Sequence, residues 1–333
     1  MEKNIKNTNS LKANGLYVSL APHINSKDSV QRIMLDVIIA LLPALIGSIY
    51  FFGMRALLLN VVCIATCIIS EYVFQKLMKK DIQIMDLSAV VTGMLIAFNL
   101  PANFPIWMAI FGSAFAIIVI KECFGGIGCN FMNPALGARV VLMASWAKKM
   151  TDYIGPDGMS AATSAATAGV DAVSSGTPLQ IIKSGAYEAL PTLKDMFVGN
   201  ISGVIGETSA LLLLIGGIYL IVRKVINWRI PAFYFISTII MLFVLKVPAN
   251  IIPYEIFGGG LFLGAFFMAT DYSTSPMNNK GKIIFAIGCG VLTAIIRVKG
   301  SLPEGVSYSI CLMNVATPLI DKLTKTQAYG EAK

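Results

Sequence analysis

The sequence predicts an all-α integral membrane protein of about ten transmembrane helices, arranged as two inverted five-helix repeats with short broken helices, plus a long extracytoplasmic loop. Three observations predict it. Hydrophobic residues make up 56% of the 333-residue chain and charged residues only 13%, with a mean hydropathy of +0.73. Soluble domains carry about 25% charged and roughly 45–50% apolar residues, and a chain of this size keeps too much surface to hide such an excess in one core. Apolar segments near or above about 18 residues also recur along the chain. Finally, one glycine-to-proline pattern occurs twice, from Gly93 to Pro105 and from Gly264 to Pro276, each an apolar half-helix running into a polar, proline-closed break.

Taken in order, residues 1–32 are polar, carry Lys3, Lys6, Lys12, Lys27 and Arg32, and show no apolar stretch of signal-peptide type, so they read as a cytoplasmic tail. The first membrane repeat, 33–146, holds spans at 34–52, 57–74, 87–99, 106–120 and 133–146. The interval 147–203 is too polar to cross a bilayer. The second repeat, 204–321, follows, with spans at 202–222, 230–245, 256–269, 283–296 and 306–320, and 322–333 is a second tail. The spans at 87–99, 133–146 and 256–269 are short for a hydrocarbon core at 1.5 Å per residue. Each abuts a Gly/Pro/Asn cluster, the mark of broken helices around a cavity. Similar tetrads, Met132 to Ala135 and Met313 to Ala316, suggest corresponding positions downstream of the two breaks. Five spans per half would invert the second copy.

The basic residues orient the chain. With the amino terminus inside, 17 of the 26 Lys and Arg fall inside and eight outside, Arg139 lying within a span. This bias places both termini inside and 147–203 outside. Arg297 and Lys299 dissent. The formal charge of +8 is spread between apolar spans rather than clustered on a soluble face, so the expected partner is the lipid bilayer, not nucleic acid.

The residues limit the chemistry. His23 is the only histidine and lies outside the spans, which excludes bis-histidine haem ligation within the chain. The six cysteines form no Cys-x-x-Cys pair and read as small buried hydrophobes. Cys123 and Cys129 flank a glycine turn, but two ligands are too few for an iron–sulfur centre. No metal site and no catalytic residue is expected. In the turn itself, Gly125, Gly126 and Gly128 permit positive φ, Asn130 and Asn133 offer amides, and Pro134 suits a first helical turn. This is either a tight connection or the seat of an anion or ring edge. Among acids at membrane depth, Asp36, Glu122, Glu207 and Asp271 are candidates for ion coupling, with structural pairing as the alternative, whereas Glu71 reads as interfacial. In the polar interval, Asp171, Ser174 and Thr177 follow one another at three-residue steps, with Gly176 before the threonine and Pro178 after it. A threonine hydroxyl needs activation to react, and on residue chemistry alone this stretch reads as a plain loop.

Together these segments resemble the NqrB/RnfD family of membrane flavoproteins. The likeness runs from Ser19 to Asp321 and is most specific in the 125–135 turn, the segment from Gly206, "ATDYSTSP" from Ala269, and Pro303 to Gly305. The short amino terminus and the "TPL" at Thr177 look more like the RnfD branch. The resemblance implies a subunit of an ion-pumping ferredoxin:NAD⁺ oxidoreductase, the Rnf complex, in a bacterial cytoplasmic (inner) membrane. It implies that a flavin transferase moves FMN from FAD onto the Thr177 hydroxyl as a phosphoester, within the Asp171/Ser174/Thr177 pattern; Gly176 stands where the family usually has alanine. It further implies a second, non-covalent flavin, riboflavin, near Gly125–Asn133 and 264–276. Partners would be the other membrane and peripheral subunits, including a second FMN-bearing one, so no complete activity is expected of this chain alone. With the flavin loop outside and NAD⁺ inside, electrons would cross the bilayer and return, a means of coupling to Na⁺ or H⁺ movement. Two readings stand beside this one: an NqrB-like subunit of a Na⁺-translocating quinone reductase, and a non-redox channel or transporter of the same architecture.

Overall fold

Lipid offers no hydrogen bonds, so apolar segments must satisfy their backbone within helices. The computed structural model, which describes residues 29–153, 155, 177–207 and 209–325, is helical accordingly. Ser29 caps α1 (Val30–Phe52), its hydroxyl accepting from Arg32 N at 3.2 Å. Gly53 turns the chain directly into α2 (Met54–Leu77). Then come α3 (Ser88–Phe98), α4 (Ile106–Phe115) with a π-helical continuation Ala116–Glu122, and α5 (Pro134–Ser145). Short helices α6 (Ala147–Met150), α7 (Pro178–Ser184) and α8 (Leu193–Val198) occupy the described parts of the polar interval. The second half comprises α9 (Ala210–Val222), α10 (Arg229–Val244), α11 (Ile252–Phe257), α12 (Leu261–Leu263) with a π-helical turn Gly264–Met268, α13 (Asn279–Lys299) and α14 (Val306–Leu323). By length and composition α1, α2 and α13 are each long and apolar enough to cross a membrane.

The packing joins the halves. Helix α2 packs on α3 and α4, and α10 packs on α13, while α1 lies against α9 and α5 against α14. Close approach needs small residues. A Cβ on Gly93 of α3 would sit 2.6 Å from Ile64 Cα on α2, and one on Gly290 of α13 would sit 2.7 Å from Tyr234 O on α10.

Three details differ from the sequence reading. The stretch 202–207, expected inside a span, is not helical. Val204 bridges Pro101, and Ile205 N and Gly206 N donate to Leu100 O and Phe98 O, both at 3.0 Å. This segment satisfies carbonyls that the end of α3 leaves without helical partners. The span at 256–269 is split, because Gly258 is extended and Gly259 has a φ of 67°. The two tetrads are not equivalent either. Asn133 caps the start of α5, whereas Asn314 lies inside α14, buried, its side-chain oxygen and nitrogen both without a partner among the described residues. Asp171, Ser174 and Gly176 lie outside the described residues.

Gly290→Ala forces a methyl into the α10–α13 contact and is expected to cost about 1–3 kcal/mol. The check is the melting temperature of purified protein in detergent, which should fall.

Candidate functional site

The two broken helices meet at a central cleft of about 780 Å³, counting the space open to solvent. Both halves wall it with π-helical turns, which are frequent at functional sites. In the first half Cys123 N reaches Ile118 O at 3.0 Å; in the second Ala269 N reaches Gly264 O at 2.7 Å. The first half contributes Lys121, Asn130 and Asn133, the second Phe266, Thr270 and Asp271. Asn133 is held by its capping role, its Oδ1 accepting from Ala135 N (3.0 Å) and Leu136 N (3.3 Å). Its Nδ2 is then aimed at the other half and donates to Met268 O at 3.3 Å. Asp271 folds back on its own turn, Oδ2 accepting from Ser273 Oγ (3.0 Å) and Thr274 Oγ1 (3.2 Å).

The glycine turn adopts positive φ at Gly125 (124°), Gly126 (93°) and Gly128 (84°). Gly125 and Gly126 border a separate polar hollow with Lys79, Lys80 and Glu122 rather than the central cleft, and Gly128 lines neither. Glu71, read as interfacial, is instead buried and 2.7 Å from the Lys121 ammonium. Gln75 Nε2 joins Glu71 Oε1 (3.3 Å) to Glu122 Oε1 (3.2 Å).

A second cleft opens at Thr177, with about 380 Å³ of empty space, bordered by Tyr153, Leu179, Glu207, Gly259 and Glu304. The half-buried Thr177 begins α7 in a reciprocal cap: its N–H donates to Gln180 Oε1 at 3.0 Å, and its Oγ1 accepts a long 3.4 Å bond from Gln180 N. Lys183 ties α7 to the α13–α14 connection, donating to Gly300 O (2.5 Å) and Leu302 O (2.7 Å). Desolvation pushes its ammonium below the ordinary lysine value. Burial likewise pushes the Tyr153 phenol up.

Beneath this cleft lies the buried Arg139. Its Nη1 donates to Asn99 Oδ1 and Glu207 Oε1, both at 2.5 Å, and its Nη2 to Glu304 Oε2. Glu304 Oε1 accepts from Gly260 N at 2.7 Å. Asn99 Nδ2 reaches the Met268 sulfur at 3.8 Å, which links this cluster to the central cleft. Of the acids singled out in the sequence, Glu207 is thus an ion-pair partner, and so is Asp36, 3.1 Å from Arg223 Nη2. Glu122 lies 3.8 Å from Lys80.

Sequence reasoning missed Glu304, Asn99 and the burial of Lys121. The proline before Glu304 and the glycine after it were the only signal for the first. Cys123 and Cys129 are exposed, not buried as expected.

Removing one partner of a buried ion pair costs about 3–5 kcal/mol. Arg139→Gln is therefore expected to destabilise the protein by that order, with Glu207→Gln and Glu304→Gln added in the same chain recovering much of the loss. Thermal melting of the single and triple variants in detergent checks this.

Known proteins share this sequence over nearly its whole length. The model of the NQR2, RnfD, RnfE family matches residues 17–330. The chain is 51% identical to a component of the Na⁺-translocating ferredoxin:NAD⁺ oxidoreductase complex of Acetobacterium woodii, over 96% of each protein. It is 41% identical to the corresponding component of the proton-translocating ferredoxin:NAD⁺ oxidoreductase complex of Clostridium ljungdahlii, over 96% of this chain and 98% of that one. It is 36% identical to a component of the ion-translocating oxidoreductase complex of Stutzerimonas stutzeri, over 91% and 93%. With the match running from residue 17 to residue 330, the chain belongs to the NQR2, RnfD, RnfE family of membrane proteins.

Proposed function

We propose that this chain is the membrane electron-transfer subunit of an ion-translocating ferredoxin:NAD⁺ oxidoreductase, seated in the cytoplasmic (inner) membrane with its termini inside and 147–203 outside. In this reading it carries FMN as a phosphoester on Thr177 and a second, non-covalent flavin, riboflavin, in the central cleft. The observation that carries the proposal is the pair of clefts, one opening on Thr177 and one between the broken helices, joined through Arg139, Asn99 and Met268. The pairing of α1 with α9 and of α5 with α14 supports the two inverted repeats.

The residues fit both groups. At Thr177 the hydroxyl borders the second cleft and, among the described residues, makes a long hydrogen bond to its own helix. The central cleft combines apolar walls with Lys121, Asn130, Asn133 and Thr270, the mixture of stacking surface and a few convergent polar groups that a ring system requires. Bound flavins supply one- and two-electron transfer. The protein's share is to fix the two sites. Lys183 anchors the Thr177 helix, Asn133 and Met268 hold the broken helices together, and Arg139 keeps both acids of the outer cluster in place. The names of the relatives support other subunits of the same complex as partners; in this reading a second FMN-bearing subunit is among them, and a flavin transferase acts during maturation. The Acetobacterium and Clostridium relatives differ in the translocated ion, so either Na⁺ or H⁺ is compatible with the likeness.

Coexpression with a flavin transferase should yield a band that fluoresces under ultraviolet light in a denaturing gel, and an FMN-sized mass addition on the peptide containing Thr177. Thr177→Ala should abolish both. An unmodified peptide, or fluorescence that survives the substitution, rules out Thr177 as the attachment point.

A further inference from the structure

Lys121 is 3% exposed, although it directly follows the span read at 106–120 and an ammonium there could reach water; burying one is costly. The protein holds it with two acceptors, Glu71 Oε1 at 2.7 Å and Ser88 Oγ at 2.6 Å. An ammonium has three donors, and Lys121 also borders the central cleft. The acids nearest to it, Glu71 and Glu122, do not border that cleft. Asp271 is the one acid among the described lining residues, and its carboxylate is engaged by Ser273 and Thr274 in its own turn. The cleft therefore meets a fixed positive charge on one wall and a hydrogen-bonded, locally screened negative one on the other. The π-helical winding of 116–122 brings Lys121 to this wall; a lysine needed only for topology would extend into water.

We infer that Lys121 is a positioning charge for the central cleft, raising the electron affinity of the ring system bound there. The inference rests on reading that cleft as a flavin site. A ring that gains an electron gains negative charge, and a fixed ammonium in a low-dielectric wall stabilises that state over the oxidised one. Glu71 and Ser88 hold the ammonium in place, and Gln75 ties Glu71 to Glu122, so the charge cannot swing away to the cytoplasmic surface.

The test uses the full-length chain carrying Thr177→Ala, so that only non-covalent flavin remains, purified in detergent. Flavin released by acid is quantified, and the midpoint potential is measured by spectroelectrochemical titration. Lys121→Gln should retain flavin and lower the midpoint by at least ~59 mV, a tenfold change in the ratio of reduced to oxidised flavin for a one-electron couple. Lys121→Arg, which keeps the charge, should stay near the parent value. Loss of flavin from Lys121→Gln with retention in Lys121→Arg also supports a charge contact. Retained flavin with an unchanged midpoint in Lys121→Gln overturns the role of Lys121 and leaves the cleft reading standing. Loss from both variants overturns it in favour of a packing role. Absence of released flavin from the parent chain overturns the cleft reading, and this inference with it.

Discussion

Arg139 touches three separate segments: the end of α3 through Asn99, the non-helical stretch before α9 through Glu207, and the α13–α14 connection through Glu304. Through Glu304 it also fixes Gly260 at the break between α11 and α12. A buried charge tolerates few alternatives, because each loss of a partner leaves an uncompensated ion. The broken helices expose backbone that helices elsewhere would satisfy, and such irregular backbone survives at membrane depth only when buried in protein or lining a cavity. The cluster supplies that condition. It explains how residues 202–207 leave the helical pattern and pair with 98–101 instead.

Both halves carry a π-helical turn at the central cleft. It continues α4 in the first half and α12 in the second, and residues of both turns line that one cleft. A π turn frees backbone acceptors and redirects side chains at modest cost. In the second half the Thr270 hydroxyl takes one such acceptor, donating to Phe266 O at 2.7 Å. The first half instead uses the capping geometry of Asn133, which leaves an amide free to cross to Met268. The result is a cavity whose polar groups come from both halves and are each held by a local constraint.

Much of this was legible in the sequence, and the reasons for the rest are specific. Helix positions follow hydropathy and the Gly/Pro breaks, and Asn133 with Pro134 gave a readable helix start. Partners far apart in sequence were not legible. Glu207 showed no hint of Arg139, and Glu71 was placed at the interface because its charged neighbours lie near a span end, whereas its carboxylate turns inward to Lys121. Arg297, which contradicts the charge bias, is buried against Glu255 and Gly258. It is a packing residue, so it says nothing about orientation. The matching tetrads misled because Met, Asn and Ala recur in membrane sequence by composition alone, and only Asn133 occupies a helix start.

The link between the clefts has a chemical limit. Its members are a guanidinium, which does not give up a proton in proteins, the amide of Asn99, a thioether and backbone carbonyl of Met268, and the amide of Asn133. None of these accepts and then releases a proton in turn, so the link is not a proton wire. Electrons need no bonded relay of this kind. The junction that holds the two clefts in register therefore offers no relay of proton carriers between Arg139 and Asn133.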